Sequence, residues 1–432
     1  MRDQRIRDPI HDLIKFSAKR GFDEILWKLI QTPEFQRLRR IAQLGFAPIV
    51  YPGATHTRFS HSLGAMEMAR KMLAILKHNK VVEESEKSEN ATVCAALLHD
   101  VGHGPLSHVF EEVSESCEIQ IHHEDWTKRI IKDSNIGTIL KDFDSEIHQD
   151  VLSFFEVEHG SDLYSTIVSS QFDADRLDFM LRDRYFTGVK FGLIDPAWIF
   201  DCLQIKRLSI EANSEAEKYR FVVSQKGFSA IENYFYAYTE LYSKVYFHKT
   251  SRAAQIMMKN ILSEVAKDPA ILSTENPLRS YFEATPTPLL ETYCRLDDSV
   301  IWSTIRFLAE NGKEEVSTLS KRLLNRNLFK CFELPKAPKD ESDPILAQAF
   351  ENKLNDKKIK FHKDRIQRKG YKAYETDYLK DILVSLEGEK YPKALHKLSN
   401  WVAEMSRGTP LRYYFEETND REIAKNIYEE IS

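Results

Sequence analysis

The segment Ala95-Ala96-Leu97-Leu98-His99-Asp100-Val101-Gly102-His103-Gly104-Pro105-Leu106-Ser107-His108 constrains this chain more than any other. Residues Ala91 to Leu98 are small or aliphatic, which predicts a helix buried on all sides. Gly102, Gly104 and Pro105 end it and leave His99 and Asp100 on its last turn. Such a helix end is rigid, and the glycines let backbone and ligand approach closely. Imidazole with carboxylate suits one divalent transition metal (Mn, Fe, Co, Ni or Zn), whereas Mg and Ca prefer oxygen alone. A His-Asp pair joined only by a hydrogen bond is the alternative, and the nearby His103 and His108 weigh against it. Two side chains hold a labile ion poorly, so further ligands must come from elsewhere.

At 432 residues and 42% apolar composition, the chain can bury a large core and is expected to contain two or more substructures. There is no uncharged apolar run of about 18 residues. Met1-Arg2-Asp3-Gln4-Arg5 opens directly into charged sequence, so neither export nor membrane spanning is expected. The five cysteines, Cys94, Cys117, Cys202, Cys294 and Cys331, are scattered without CxxC spacing, which fits a reducing cytoplasm. A net charge of -5 argues against a nucleic-acid coat but leaves room for a basic pocket that receives a polyanionic small molecule.

Along the chain, Ile6-Arg7-Asp8-Pro9-Ile10-His11-Asp12 favours an extended or turning segment. Thr32-Pro33-Glu34 predicts a helix start leading through Phe35, Leu38, Ile41 and Leu44, with Arg37, Arg39 and Arg40 on a solvated face. Another helix is expected from Arg58 or so onward, with His61 in its first turn and Arg58 strengthening a phosphate site at the positive end of the dipole. Residues 78 to 90 read as a solvated connection. His122-His123-Glu124-Asp125-Trp126 begins a further helix, where His123 is a candidate proton donor oriented by Glu124; a surface His-Glu pair is the plainer reading. In Asp173-Ala174-Asp175-Arg176-Leu177-Asp178, the i,i+3 step puts Asp175 and Asp178 on one helix face. Leu177, Met180 and Leu181 imply that this helix is buried, and buried carboxylates need partners, of which a metal is one. Residues 204 to 224 predict a β-hairpin, and helical spacing returns from Gly227 through Met258 with a tyrosine stripe at Tyr234, Tyr238, Tyr242 and Tyr246. A linker is expected over 333–343, followed by a basic segment from Lys357 to Lys372.

Taken together, Arg58-Phe59-Ser60-His61, His99-Asp100 and Asp173-Ala174-Asp175-Arg176 resemble the HD-domain phosphohydrolases. Asp8-Pro9-Ile10-His11, Thr32 to Arg39, Gln43-Leu44-Gly45, Pro52 to Phe59 and Val245 to Lys249 bring the likeness to their deoxynucleoside triphosphate triphosphohydrolases, over about residues 4 to 331. The resemblance implies a mainly α-helical HD-domain fold over 1–331, with a small β-hairpin insertion. Residues 332–432 would form a smaller C-terminal α/β part, regulatory or oligomerising.

The resemblance also implies metal ligation by His61, His99, Asp100 and Asp175, with Mg accompanying the nucleotide phosphates. Arg58 and Arg176 would contact phosphates, and His103, His108 and His123 would lie beside the α-phosphate. Gln43, Asp183 and Tyr246 would hold the deoxyribose. Two departures stand out: Phe179 replaces a phosphate-reaching Tyr, and Tyr238 a phosphate-binding Arg. The implied reaction gives a deoxynucleoside and inorganic triphosphate, with His123 or His103 protonating the leaving oxygen. The alternatives are another phosphohydrolase of the superfamily, such as a nucleotidase or cyclic-nucleotide phosphodiesterase, and a regulatory nucleotide-binding protein. Gln36, Arg39, Arg326 and Lys330 match an allosteric nucleotide site between subunits. A homo-oligomer (dimer or tetramer) is therefore expected, with deoxynucleoside triphosphates as substrate and effector. Gln31 stands where an Asp reads guanine, which implies altered base choice.

Overall fold

The computed structural model describes residues 2–19, 21–79, 85–156, 162–209, 217–334, 344–365, 370–374, 380–405 and 411–431. Helices dominate it. Through the first two thirds of the chain they are α1 Gly21–Ile30, α2 Pro33–Gln36, α3 Arg58–Asn79, α4 Glu86–Leu98, α5 His108–Ser116, α6 His123–Asp133, α7 Asn135–Phe143, α8 Ser145–Ser153, α9 Leu163–Val168, α10 Ala174–Thr187, α11 Pro196–Asp201, α12 Phe228–Leu241 and α13 Lys249–Lys267. No described helix is long and apolar enough to cross a membrane.

The all-apolar stretch behaves as its composition dictates. Ser85 caps α4 by accepting from the Ser88 amide, and Glu86 and Glu89 favour the positive end of its dipole. Every residue from Ala91 to Leu98 is buried, and His99 is the C-cap. The connection expected over 78–90 is shorter than that: α3 runs to Asn79, α4 starts at Glu86, and residues 80–84 lie outside the described residues. The main core gathers the inner faces of α1, α3, α4, α6, α7, α10 and α12. A second core joins α5 and α13 to the helices Pro277–Glu283, Asp298–Asn311 and Glu314–Leu324.

Close packing of α3 on α10 requires Gly64. A Cβ there would lie 1.8 Å from Asp178 Oδ1 and 2.5 Å from Arg182 Nη2, so any larger residue displaces that carboxylate and guanidinium.

Two expectations are corrected here. The helix expected through Leu44 stops early: α2 tightens into a 3-10 turn at Arg37–Arg40 and the chain becomes extended at Ile41, where Ala42 bridges Thr57. The cause is Arg37, which is fully buried rather than solvated. Its Nη1 donates to Leu296 O at 2.8 Å and its Nη2 to Val101 O and His103 O at 2.9 and 2.8 Å, so it ties the loop after His99-Asp100 to the core. The tyrosine stripe is likewise no single helix. It passes through a π-helical turn at Tyr242–Tyr246 before α13 begins, and π turns recur where side chains are re-aimed at sites.

β1 Gln4–Asp8 and β2 Asp12–Phe16 form an N-terminal hairpin. β3 Leu203–Ser209 and β4 Glu217–Ser224 pair as the expected hairpin, and the sheet extends beyond it. β7 Leu383–Ser385 joins β4 in parallel, with Val222 opposite Leu383, and β8 Lys393–Ala394 follows in the order β3-β4-β7-β8. β5 Lys330–Glu333 and β6 His362–Arg365 flank β9 Leu411–Phe415, and a third core including Phe350, Tyr413 and Ile427 packs on that sheet. β5 spans the boundary expected between 331 and 332. Residues 335–343 of the expected linker, 366–369 of the basic segment and the hairpin turn 210–216 lie outside the described residues.

Arg37→Ala is expected to destabilise the fold by about 3 kcal/mol or more, because three buried carbonyls lose their donors at once. Urea unfolding measures this directly, and a loss below about 1 kcal/mol would contradict the anchoring role.

Candidate metal centre and active site

His61 lies in the first turn of α3 and is fully buried. Its Nδ1 is bonded to Asp178 Oδ2 at 2.8 Å, and its Nε2 lies 2.9 Å from Asp175 Oδ1. One turn of α10 thus supplies both carboxylates, one to each edge of the same ring. Asp178, singled out in the sequence only as a neighbour of Asp175, emerges as the residue that orients His61. Its own oxygens also accept from Arg182 and pair with His11. His99 Nδ1 donates to Ala96 O at 2.9 Å, leaving its Nε2 bare, 3.2 Å from His61 Nε2 and 3.5 Å from Asp175 Oδ1.

These donors fit a transition-metal ion. Ligand atoms held roughly 2.0–2.2 Å from one ion lie about 3.0–3.5 Å from each other at octahedral or tetrahedral angles. The ligand atoms of His61, His99 and Asp175 all lie within 4.8 Å of one another. Two imidazole lone pairs aimed at each other need a cation between them, a proton or a metal. Burial disfavours the His61 imidazolium, yet Asp175 and Asp178 outweigh burial and raise its pKa to about 10. Asp100 stands beside this trio, with Oδ1 3.3 Å from His99 Nε2 and Oδ2 3.7 Å from His61 Nε2. It also pairs with Arg58 Nη1 and with His103 Nε2 at 3.2 Å. Burial pushes the Asp100 carboxyl up, but Arg58, His99 and His103 hold it well below the usual carboxylate range.

Arg58 opens α3, is buried, and donates from Nε and Nη2 to Ser107 Oγ at 3.2 and 2.7 Å. Ser107 sits at a sharp corner: Leu106 and Ser107 have φ of 52° and 48°, left-handed backbone uncommon for such residues. Asp298, which pattern reading missed, pins the corner by accepting from the Leu106 amide at 2.8 Å and from Ala42 N at 2.9 Å.

His103 stacks on His123 with ring centroids 4.1 Å apart. Burial and the Arg58 guanidinium hold its pKa well below the ordinary histidine value, so it is neutral at pH 7. The carboxylate expected to orient His123 is a different one. Glu124 is exposed, whereas Glu111 of α5 lies 3.1 Å from His123 Nδ1 and accepts from its backbone amide at 3.0 Å. Glu111 also pairs with His108 and His122 at 3.4 and 3.2 Å. A one-residue step along α6 leaves the His123 ring nitrogen to Glu111 instead of Glu124, and only a contact between helices could reveal that partner. His108 itself is exposed.

A cavity of about 690 Å³ opens over these groups. Arg58, His99, Asp100, His103, His108, His123, Glu124, Asp175 and Arg176 line it, together with Gln43, Asp183 and Tyr246. Tyr246 donates to Asp183 Oδ2 at 2.6 Å, while buried His56 holds Asp183 Oδ1 at 2.7 Å. Arg176 lies 3.5 Å from Asp173 and its guanidinium is 5.3 Å from the Tyr238 ring centroid, so the aromatic residue that replaces a cation here steadies a neighbouring one. Asp364 and Arg365 of β6 also form part of the wall.

Gln36, Arg39, Arg326 and Lys330 are not among the residues lining the cavity. Arg39 is exposed, lies 3.5 Å over the Phe59 ring and donates to Gln36 Oε1 at 2.8 Å. Arg326, at φ 58°, reaches Ile49 O at 3.2 Å, and Lys330 opens β5.

Comparison with known proteins gives this geometry a context. The HD domain family matches residues 58–180, the span that carries Arg58, His61, His99, Asp100 and Asp175. The uncharacterized protein YwfO of Bacillus subtilis is 34% identical over 333 residues, 76% of this chain and 71% of its own length. The chain belongs to the HD-domain phosphohydrolases. Within that hydrolase family, a phosphohydrolase from Bacteroides thetaiotaomicron superposes with a TM-score of 0.72 at 26% identity, covering 95% of this chain and 98% of that one. The deoxynucleoside triphosphate triphosphohydrolase SAMHD1 of Bos taurus is 26% identical over 358 residues, and the match spans 75% of this chain and 58% of the bovine protein.

Metal uptake is expected to displace the proton on His61, whose pKa is about 10. Apparent affinity should therefore rise with pH, by up to about tenfold per unit, and level off near pH 10. Titration with Mn²⁺ or Co²⁺ across pH checks the slope; an affinity independent of pH between 6 and 9 would contradict it. His99→Ala should lose the ion, measured as metal content per chain.

Proposed function

We propose that this chain hydrolyses deoxynucleoside triphosphates to deoxynucleoside and inorganic triphosphate. The observation that carries the reading is a single cavity lined at once by His99 and Asp175, by the cations Arg58 and Arg176, and by the polar trio Gln43, Asp183 and Tyr246. The bovine relative, a deoxynucleoside triphosphate triphosphohydrolase, supports the same choice of substrate.

A divalent ion held by His61, His99, Asp100 and Asp175 would supply Lewis acidity to a phosphoryl oxygen and to the attacking water. Arg58 and Arg176 bind and offset phosphate charge. Water attacks the α-phosphorus, the bond to the 5′ oxygen breaks, and His123 gives that oxygen a proton from Nε2. Glu111 occupies Nδ1 and so fixes which nitrogen faces the substrate. His103, kept neutral, packs the donor ring in place. Asp183, braced by His56, and Tyr246 receive the deoxyribose, and positioning contributes much of the rate.

A nucleotide site between subunits of a homo-oligomer, using Arg39, Arg326 and Lys330, is the regulatory part of the proposal. Its support is Arg39, an exposed guanidinium held still by Gln36 and the Phe59 ring. Chromatography of the products decides the reaction: release of triphosphate supports it, whereas pyrophosphate or monophosphate would replace it with another phosphohydrolase activity.

His123→Ala should retain the metal and slow turnover about 100-fold or more. Glu111→Gln should slow it about tenfold, while Glu124→Gln changes it by less than about twofold. Steady-state rates at saturating metal read all three; equal effects of the two glutamate variants would reject Glu111 as the orienting carboxylate.

A further inference from the structure

The N-terminal hairpin reaches the metal centre through side chains that the proposed reaction leaves unused. Between β1 and β2, Asp8 Oδ1 accepts from the amides of Ile10 and His11, both at 2.9 Å, and Asp12 turns the chain at φ 59°. The turn is pinned on α10. Arg182 Nη1 donates to Asp8 Oδ2 at 2.8 Å, and Arg182 Nε to Asp178 Oδ2 at 2.8 Å. The His11 side chain is 0% exposed, although it comes from a surface hairpin. Its Nε2 lies 2.7 Å from Asp178 Oδ1, and Lys71 Nζ stands 3.4 Å from its Nδ1.

The proton positions follow from these partners. An ammonium can only donate, so Nδ1 of His11 accepts from Lys71 and Nε2–H donates to Asp178. Asp178 in turn holds Nδ1–H of His61, so hydrogen bonds run unbroken from Lys71 through His11 and Asp178 to the imidazole that meets Asp175. Asp178 then has four donors on two oxygens: His11 and Arg182 on Oδ1, His61 and Arg182 on Oδ2. A carboxylate held from all sides cannot rotate, and neither can the ring it grips.

We propose that the hairpin is a positioning element for the metal centre, in which His11 orients Asp178 and thereby the His61 ring, so that seating of the hairpin governs metal retention. His11 is a positioning residue, not a ligand. The inference rests on the metal-centre reading. Outer partners of metal ligands typically contribute 10–100-fold in affinity, and His11, one step further out, should contribute about tenfold.

The test uses the full chain, Co²⁺ as the probe, a competing chelator for affinity and the visible absorption of cobalt for ligand geometry. His11→Ala should bind Co²⁺ about tenfold more weakly with an altered spectrum, while His11→Gln, whose amide can again donate to Asp178, stays within about threefold of the parent. Arg5→Ala, on the exposed side of β1, should match the parent. If His11→Ala fails to fold, His11→Asn, whose amide is too short to reach, takes its place. Thermal unfolding of the metal-stripped proteins separates positioning from stability. A stripped His11→Ala as stable as His11→Gln yet weaker in cobalt supports the proposal. Parent-like affinity and spectrum in His11→Ala overturn it, as does equal weakening in the Ala and Gln variants. A parent that holds no cobalt at all would overturn the metal-centre reading as well, which keeps the two failures distinct.

Discussion

Much of this molecule is arranged around one imidazole. His61 is grasped at Nδ1 by Asp178 and at Nε2 by Asp175, and both carboxylates come from a single turn of α10. For that grip to exist, α3 and α10 approach so closely that position 64 has no room for a Cβ beside the Asp178 carboxylate. Asp178 must also be fully buried, a costly state for a carboxylate unless charge and hydrogen bonds compensate, as Arg182 and two histidines do. The third candidate ligand arrives at the end of α4, where burial from Ala91 to Leu98 fixes where His99 stands.

Legibility in the sequence followed the range of the interactions. The apolar stretch, its glycine-rich end and the buried carboxylate helix could be read locally, because periodicity and helix-ending residues act over a few positions. The helical class and the resemblance to HD-domain proteins followed from them. What stayed hidden depends on contacts across the chain. Arg37 looked like part of a basic face, yet carbonyls of Val101, His103 and Leu296 draw it inside and break its helix. Glu111 and His123 are 12 residues apart and meet only because α5 and α6 pack side by side. The adjacent Glu124 was the natural candidate from spacing, but consecutive helical residues do not face the same way.

The active-site chemistry divides along similar lines. Groups meant to stay charged sit among opposite charges: Asp100 with Arg58, Asp178 with Arg182. The ring that stays neutral, His103, is pressed between burial and a guanidinium. His123 and His103 are stacked partners in unlike surroundings: His123 meets Glu111, whereas His103 is buried between the Asp100 carboxylate and the Arg58 guanidinium.

The strand pattern has a bearing on how the protein is made. β4 lies between β3 and β7, and β5 gains its neighbour only from β9, so two sheets begun earlier in the chain are closed by segments made much later. Asp364 and Arg365 of the cavity wall also belong to that late part. On a ribosome, the helices that carry His61, His99 and Asp175 would emerge with Val222 on an open strand edge and the cavity still missing a side. Open edges invite pairing with other chains. The nascent chain would therefore hold its candidate metal ligands well before the wall around them is finished, and β7 and β9 seal the edges that synthesis leaves bare.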